Sequence, residues 1–148
     1  MKIIANNKKA TYDYDISIKI NSGLVLTGSE VKSLRNNSSS IKEAYIEEKG
    51  GELWLSNCFI KRYNSSSHNE NNPTRQRKLL ISKKELNKLI GSIKKEGFTI
   101  VPISMYFNDN GLVKLNIGLG RGKKKYDKRQ SQKLKDWNKN KQRLLKNN

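Results

Sequence analysis

The sequence predicts a mainly β protein, a small antiparallel barrel of about six strands with two short helices and a basic C-terminal tail that folds on binding. Three observations carry that reading. Apolar residues recur at every second position in several segments, as in half-buried strands. Turn residues separate those segments without the long helices that would join parallel strands. The formal net charge of +18, from 31 Lys and Arg against 13 Asp and Glu, gathers toward one end.

Taken from the start, residues 6–9 are a polar lead. Tyr12, Tyr14, Ile16, Ile18 and Ile20 then alternate with Asp13, Asp15, Ser17 and Lys19, which predicts the first strand. Asn21-Ser22-Gly23 supplies a turn, and Leu24-Val25-Leu26 begins a second strand, a hairpin. Thr27-Gly28-Ser29-Glu30 has capping-box spacing and opens a short helix through Leu34, with Glu30 read as a cap. Residues 36–40 form a polar loop. Strands over residues 44–48 and 52–60 meet at Lys49-Gly50-Gly51, with Trp54 and Leu55 on opposite faces, so that one of the two lies at the surface or against a second layer.

Residues 63–74, rich in Ser and Asn, read as a mobile loop. It holds the one histidine, His68, which has no His or Cys near it to build a metal site and reads as a solvated residue. Arg75, Arg77 and Lys78 place cations at the mouth of a buried segment, Leu79-Leu80-Ile81. Ser82-Lys83-Lys84-Glu85 is a second capping box, and Leu86, Leu89, Ile90 and Ile93 keep helical spacing until Gly97. Residues 98–107 form a strand in which Pro102 implies an edge or a bulge. Asn108-Asp109-Asn110-Gly111 turns the chain into the last strand, where Val113, Leu115, Ile117 and Leu119 face inward and Lys114 outward.

The charge divides the chain into a barrel domain, residues 1–120, and a tail, residues 121–148. The tail holds twelve cationic and two acidic residues, a net +10; nineteen cations and eleven acids leave +8 for the barrel. Both parts therefore favour a polyanion, and nucleic acid fits best, since Lys and Arg release counterions from phosphates and Tyr126 offers a ring for stacking. The tail's apolar side chains, Leu134, Trp137, Leu144 and Leu145, make a stripe compatible with a helix but too sparse to stabilise one alone. Single Cys58, beside Phe59 and Ile60, reads as a small core residue in a reducing compartment. There is no apolar run of membrane-spanning length, and the opening Met-Lys-Ile-Ile-Ala has no signal-peptide pattern, so a cytoplasmic protein with no membrane association is expected. Paired carboxylates in a signalled cleft, a metal-ligand cluster and a Gly-rich nucleotide loop are all missing, which argues against an enzyme and against any cofactor or metal.

Three blocks carry a resemblance that covers essentially the whole chain. Gly28-Ser29-Glu30-Val31-Lys32-Ser33-Leu34-Arg35, Pro73-Thr74-Arg75-Gln76-Arg77-Lys78-Leu79-Leu80 and Gly122-Lys123-Lys124-Lys125-Tyr126-Asp127-Lys128-Arg129 resemble, in order and spacing, the signature blocks of small protein B, the SsrA-binding proteins. The resemblance implies a Greek-key barrel related to the OB-fold that binds the tRNA-like domain of transfer-messenger RNA and delivers it to stalled ribosomes. It implies an RNA-facing group of Asn7, Lys8, Leu80, Lys114, Arg121, Lys123 and Lys124. It implies a group at the ribosomal decoding centre of Tyr12, Tyr126, Asp127, Lys128 and Arg129, with Lys133, Leu134, Trp137, Lys141 and Leu144 in the empty messenger channel. Alanyl-tRNA synthetase and elongation factor Tu are implied as indirect partners through the charged RNA. Asn21 and Ser22 stand where the family usually has Glu-Ala, Gly120 replaces an alanine, and Tyr12 and Tyr126 occupy frequent histidine positions. A tyrosine stacks on a base but does not become a cation near neutral pH.

Two other classes are weighed against this. A generic OB-type RNA binder or ribosomal protein shares the barrel and the charge, but calls for several aromatics on one strand face, where this chain has only Tyr12 and Tyr14 among isoleucines. A small RNA-processing enzyme is the other, and the isolated His68 argues against it. Which RNA co-purifies separates a single-target binder from a generic one.

Overall fold

A computed structural model of the chain describes residues 1–36, 39–63, 72–95, 97–123 and 137. In chain order its elements are β1 (Lys2–Asn6), α1 (Lys8–Asp13), β2 (Tyr14–Leu24), α2 (Gly28–Asn36), β3 (Tyr45–Lys49), β4 (Glu52–Ser56), β5 (Arg77–Leu80), α3 (Lys83–Ile93), β6 (Phe98–Phe107) and β7 (Val113–Gly122). The seven strands form one antiparallel sheet in the order β1-β6-β7-β2-β5-β4-β3. The sheet coils, because β3 at one end of this order packs against β6, next to the other end. Its inner face encloses Ile41, Leu53, Leu55, Leu79, Leu89, Met105, Leu115 and Ile117, all essentially without solvent contact.

The mainly β architecture is as expected, with corrections near the N-terminus. An unpredicted strand, β1, precedes the polar lead and pairs with β6, the lead itself opens α1, and the predicted start of the first strand is helical. Tyr12 therefore lies on α1 and is 74% exposed. A six-residue helix is too short to show a 3.6-residue period, so the alternation of Tyr12 with its neighbours could not reveal it. β2 starts at Tyr14 and runs unbroken through Asn21-Ser22-Gly23, so the predicted hairpin does not form. Those residues pair with β7, and the strand exchanges β7 for β5 at Gly23 and Leu24. Ser22, buried, donates its hydroxyl proton to the Leu115 carbonyl oxygen at 2.9 Å, which lets a polar side chain sit inside.

A register shift between Ile16 and Ile18 changes which face β2 presents. Ile18 and Ile20 pack on the core, whereas Ile16 meets Ile103 across Gly118, where an added Cβ would come within 2.9 Å of Ile16 and 2.8 Å of Ile103. The single apolar face expected for this strand is thus two faces joined at Ser17. Pro102 lies at the expected bulge, between Pro102 and Ser104 of β6. Strand β4 ends at Ser56 rather than at residue 60, since Asn57 turns the chain with a φ of 58°.

The turns behave as their residues dictate. Gly50 and Gly51 both have positive φ, 59° and 78°, the pairing that a two-residue hairpin between β3 and β4 requires. Asn108 Oδ1 accepts from the Asn110 and Leu112 amides at 3.0 and 2.9 Å, closing the β6–β7 turn. Thr27 and Glu30 form the full capping box at α2, the Glu30 amide donating to Thr27 Oγ1 and the Thr27 amide to Glu30 Oε1. At α3 only the first half forms, from the Glu85 amide to Ser82 Oγ, and the helix ends at Ile93. Trp54 is half-buried opposite Lys78 and Glu47 while Leu55 is in the core, which resolves the choice between them. Cys58 is a core residue, and burial pushes its thiol above the ordinary range.

Candidate nucleic-acid interface

Lys114 stands on β7 between the buried Val113 and Leu115, so strand alternation turns it to the outer face of the sheet. Its partner on β2 is Gly23, and the partner of Gly23 on β5 is Leu80. One row across three strands thus brings together Lys114 and Leu80, two residues that lie 34 positions apart in the chain. Gly23 separates them without a side chain. A Cβ there would lie 3.3 Å from Leu80 Cβ, so the leucine leans over the glycine toward the lysine. Leu80 is 52% exposed, an apolar surface beside a cation.

A second group lies at the other end of β7. Tyr14 pairs with Gly122, which sets α1 beside the strand end that carries Arg121 and Lys123. Lys8 and Tyr12 are four residues apart on α1 and share one side of it. Arg121 is exposed, stacks its guanidinium 4.3 Å from the centre of the Phe98 ring, and pairs in register with Asp15. Eight residue steps, roughly 27 Å, separate Gly122 from Lys114 along the strand.

Asn7 differs from the rest of its expected group in being buried. Its side-chain amide donates to the Pro102 carbonyl at 3.0 Å and its backbone amide to Ile103 at 2.8 Å, so it fastens α1 to β6 at the bulge. Lys124, Tyr126, Asp127, Lys128, Arg129, Lys133, Leu134, Lys141, Leu144 and His68 lie outside the described residues. Trp137 is exposed.

The cations expected at the mouth of the segment before α3 have a different placement. Arg77 has the parity of Leu79 on β5 and is buried with it, at 1% exposure. Its Nε donates to Glu30 Oε2 at 2.7 Å, and its remaining donors reach the Cys58 and Pro73 carbonyls at 2.6 and 3.0 Å. Arg75 donates from Nε to the same Oε2 at 3.2 Å and from Nη2 to Oε1. Burial alone would raise the Glu30 pKa, but the Arg75 hydrogen bond, the Thr27 amide and Arg77 together hold it below the ordinary carboxylate value. Glu30 is therefore a cap and also the counterion of two arginines. The inward parity of Arg77 was the signal in the sequence that a buried carboxylate had to exist.

Chemically the outward groups suit phosphates and unstacked bases: Lys8, Arg121 and Lys123, exposed, and Lys114, half-buried, offer cations, and Leu80 and Tyr12 offer surfaces on which a ring can lie. Among the described residues no group of three or more His, Cys, Asp or Glu could hold a metal ion. None of the described helices is long and apolar enough to cross a membrane.

The SmpB protein family model matches residues 4–147. An SsrA-binding protein of Wolbachia pipientis is 49% identical over 148 residues, all of this chain and 99% of the relative. One from Ehrlichia canis is 50% identical over the full length of both. A solved chain described as tmRNA-SmpB at the center of the bacterial ribosome superposes with a TM-score of 0.65 at 40% identity, over 80% of this chain and 82% of that one.

Proposed function

Since this chain belongs to the SmpB family, we propose that it is an SsrA-binding protein of trans-translation, which binds the tRNA-like domain of transfer-messenger RNA and brings it to stalled ribosomes. The observation that carries the reading beyond family membership is the outward row in which Leu80 lies over Gly23 toward Lys114. It pairs a phosphate-seeking cation with an exposed apolar surface on a rigid sheet, which suits RNA whose bases are splayed from their stack.

In this reading Lys114, Leu80, Lys8, Arg121, Lys123 and Lys124 face the RNA, while Asn7 acts from below by fixing α1. Tyr12, on the same side of α1 as Lys8, continues that surface toward the decoding centre, where Tyr126, Asp127, Lys128 and Arg129 also act. The rest of the tail, with Lys133, Leu134, Trp137, Lys141 and Leu144, enters the empty messenger channel. The protein works as an adaptor in the cytoplasm and performs no bond chemistry of its own. Alanyl-tRNA synthetase and elongation factor Tu join it through the RNA.

Peptide tagging on a messenger without a stop codon tests the proposal. Tagging should require this protein together with transfer-messenger RNA. Tagging that proceeds equally without the protein, or co-purification of mixed RNA instead of one structured RNA with a tRNA-like end, would replace the proposal with a generic RNA binder.

A further inference from the structure

The row that holds Lys114 does not stop at β7. On β6 the partner of Lys114 is Tyr106, and on β1 the partner of Tyr106 is Ile3. Directly paired residues on neighbouring strands project to the same face, so five strands set Ile3, Tyr106, Lys114, Gly23 and Leu80 in one line on the outer surface. The inward neighbours confirm the parity: Met105 and Phe107 are buried, and Ile4 packs on the core. Ile3 is 50% exposed and Leu80 52%. Two large aliphatic side chains facing water therefore bracket a half-buried tyrosine and a lysine.

An exposed strand residue is ordinarily polar on a one-sided sheet. Here the outward positions hold an isoleucine, a tyrosine and a leucine, with one cation among them and a net-cationic molecule around them. A protein partner would meet that charge as a barrier unless it were acidic, whereas RNA supplies phosphate for the lysine and ring or sugar surface for the apolar groups. The row is also continuous with the Leu80–Lys114 surface, on the same face and with only Gly23 between.

We infer that the RNA-binding face extends past Lys114 onto β6 and β1, with Tyr106 taking an unstacked base against its ring and Ile3 bounding the contact. This rests on the RNA-binding reading above and adds a stacking site to it. The spacing supports the arrangement, because adjacent strands lie about 4.8 Å apart. A base lying on Tyr106 keeps its own phosphate within reach of Lys114 one strand away. Gly23 leaves room on the other side of the lysine, so the backbone can continue toward Leu80.

The test measures binding of the full chain to a transcribed tRNA-like domain of transfer-messenger RNA, by fluorescence anisotropy at several salt concentrations. Tyr106→Phe and Tyr106→Trp should bind within about twofold of the parent, since both keep a ring. Tyr106→Leu keeps bulk and strand propensity but has no π face, and should lose on the order of tenfold in affinity. Because no phosphate contact is removed, the slope of log affinity against log salt should stay that of the parent. Ile3→Ser should weaken binding by a smaller factor with the same slope. Parent-like affinity of a folded Tyr106→Leu protein would overturn the inference, as would a loss in Tyr106→Phe equal to that in Tyr106→Leu. Failure of the parent to prefer this RNA over an unrelated RNA of equal length would strike the functional reading itself, and is visible before any variant is made.

Discussion

Glu30 joins two segments through one carboxylate, closing the α2 cap and neutralising Arg75, just before β5, and Arg77 at its start. Removing it by Glu30→Ala leaves Arg77 charged and buried, and should cost about 3–5 kcal/mol in urea unfolding at pH 7. The pH dependence has a definite sign. Its pKa in the fold lies below the unfolded value, so its stabilisation is complete above the unfolded pKa, about 4.3, and is lost as pH falls through the folded one. Urea midpoints taken from pH 6 downward should fall less steeply in Glu30→Gln than in the parent; parallel curves would show that another carboxylate governs the acid limb. On the outer face, Lys114→Glu should weaken binding to the tRNA-like domain and flatten its salt dependence by a slope of roughly 1. Unchanged affinity at two ionic strengths would remove Lys114 from the interface and leave it as a lysine that merely sits on the sheet.

The helix α1 owes its place to Asn7 rather than to its own length. With six residues it is too short to be stable alone, and the Asn7 amide holds it to the Pro102 carbonyl at the β6 bulge. Asn7→Asp keeps the size and removes the donor, so it should destabilise the protein by about 1–3 kcal/mol and weaken RNA binding in step with misplacement of Lys8. A destabilised variant whose RNA affinity equals the parent's would separate α1 from the interface. The elements that were legible in the sequence are those with a local cause: the β3–β4 hairpin with two glycines, the α2 capping box, the Pro102 bulge and the inward alternation of β7. Those that were not depend on distant partners. β1 is a strand because β6 offers it an edge, and β2 runs through an apparent turn because β7 and β5 pair with its two ends. The same division holds for the interface, since Lys114 was readable from alternation, while its alignment with Leu80 across Gly23 needed the register.

At the scale of the whole molecule, the proposed division of labour between a barrel that faces RNA and a tail that acts on the ribosome is tested by truncation. Ending the chain after Lys125 should leave binding to the tRNA-like domain largely intact while tagging fails, even at saturating protein. If saturation restores tagging, the tail adds only non-specific phosphate affinity. The sheet order has a further consequence in time. β1 and β2, among the first residues made, pair with β6 and β7, about a hundred positions later. At synthesis rates of about 5–20 residues per second, the first strand waits roughly 5–20 s for its neighbour. Such distant pairing also makes for slow folding once the chain is complete. Before β7 emerges, β2 lacks its longest partner and Lys114 does not yet exist. A messenger broken upstream of that point therefore yields a chain without the strand that joins β2 to β6 and without the lysine of the proposed row, so only copies translated through residue 122 of 148 carry the whole sheet.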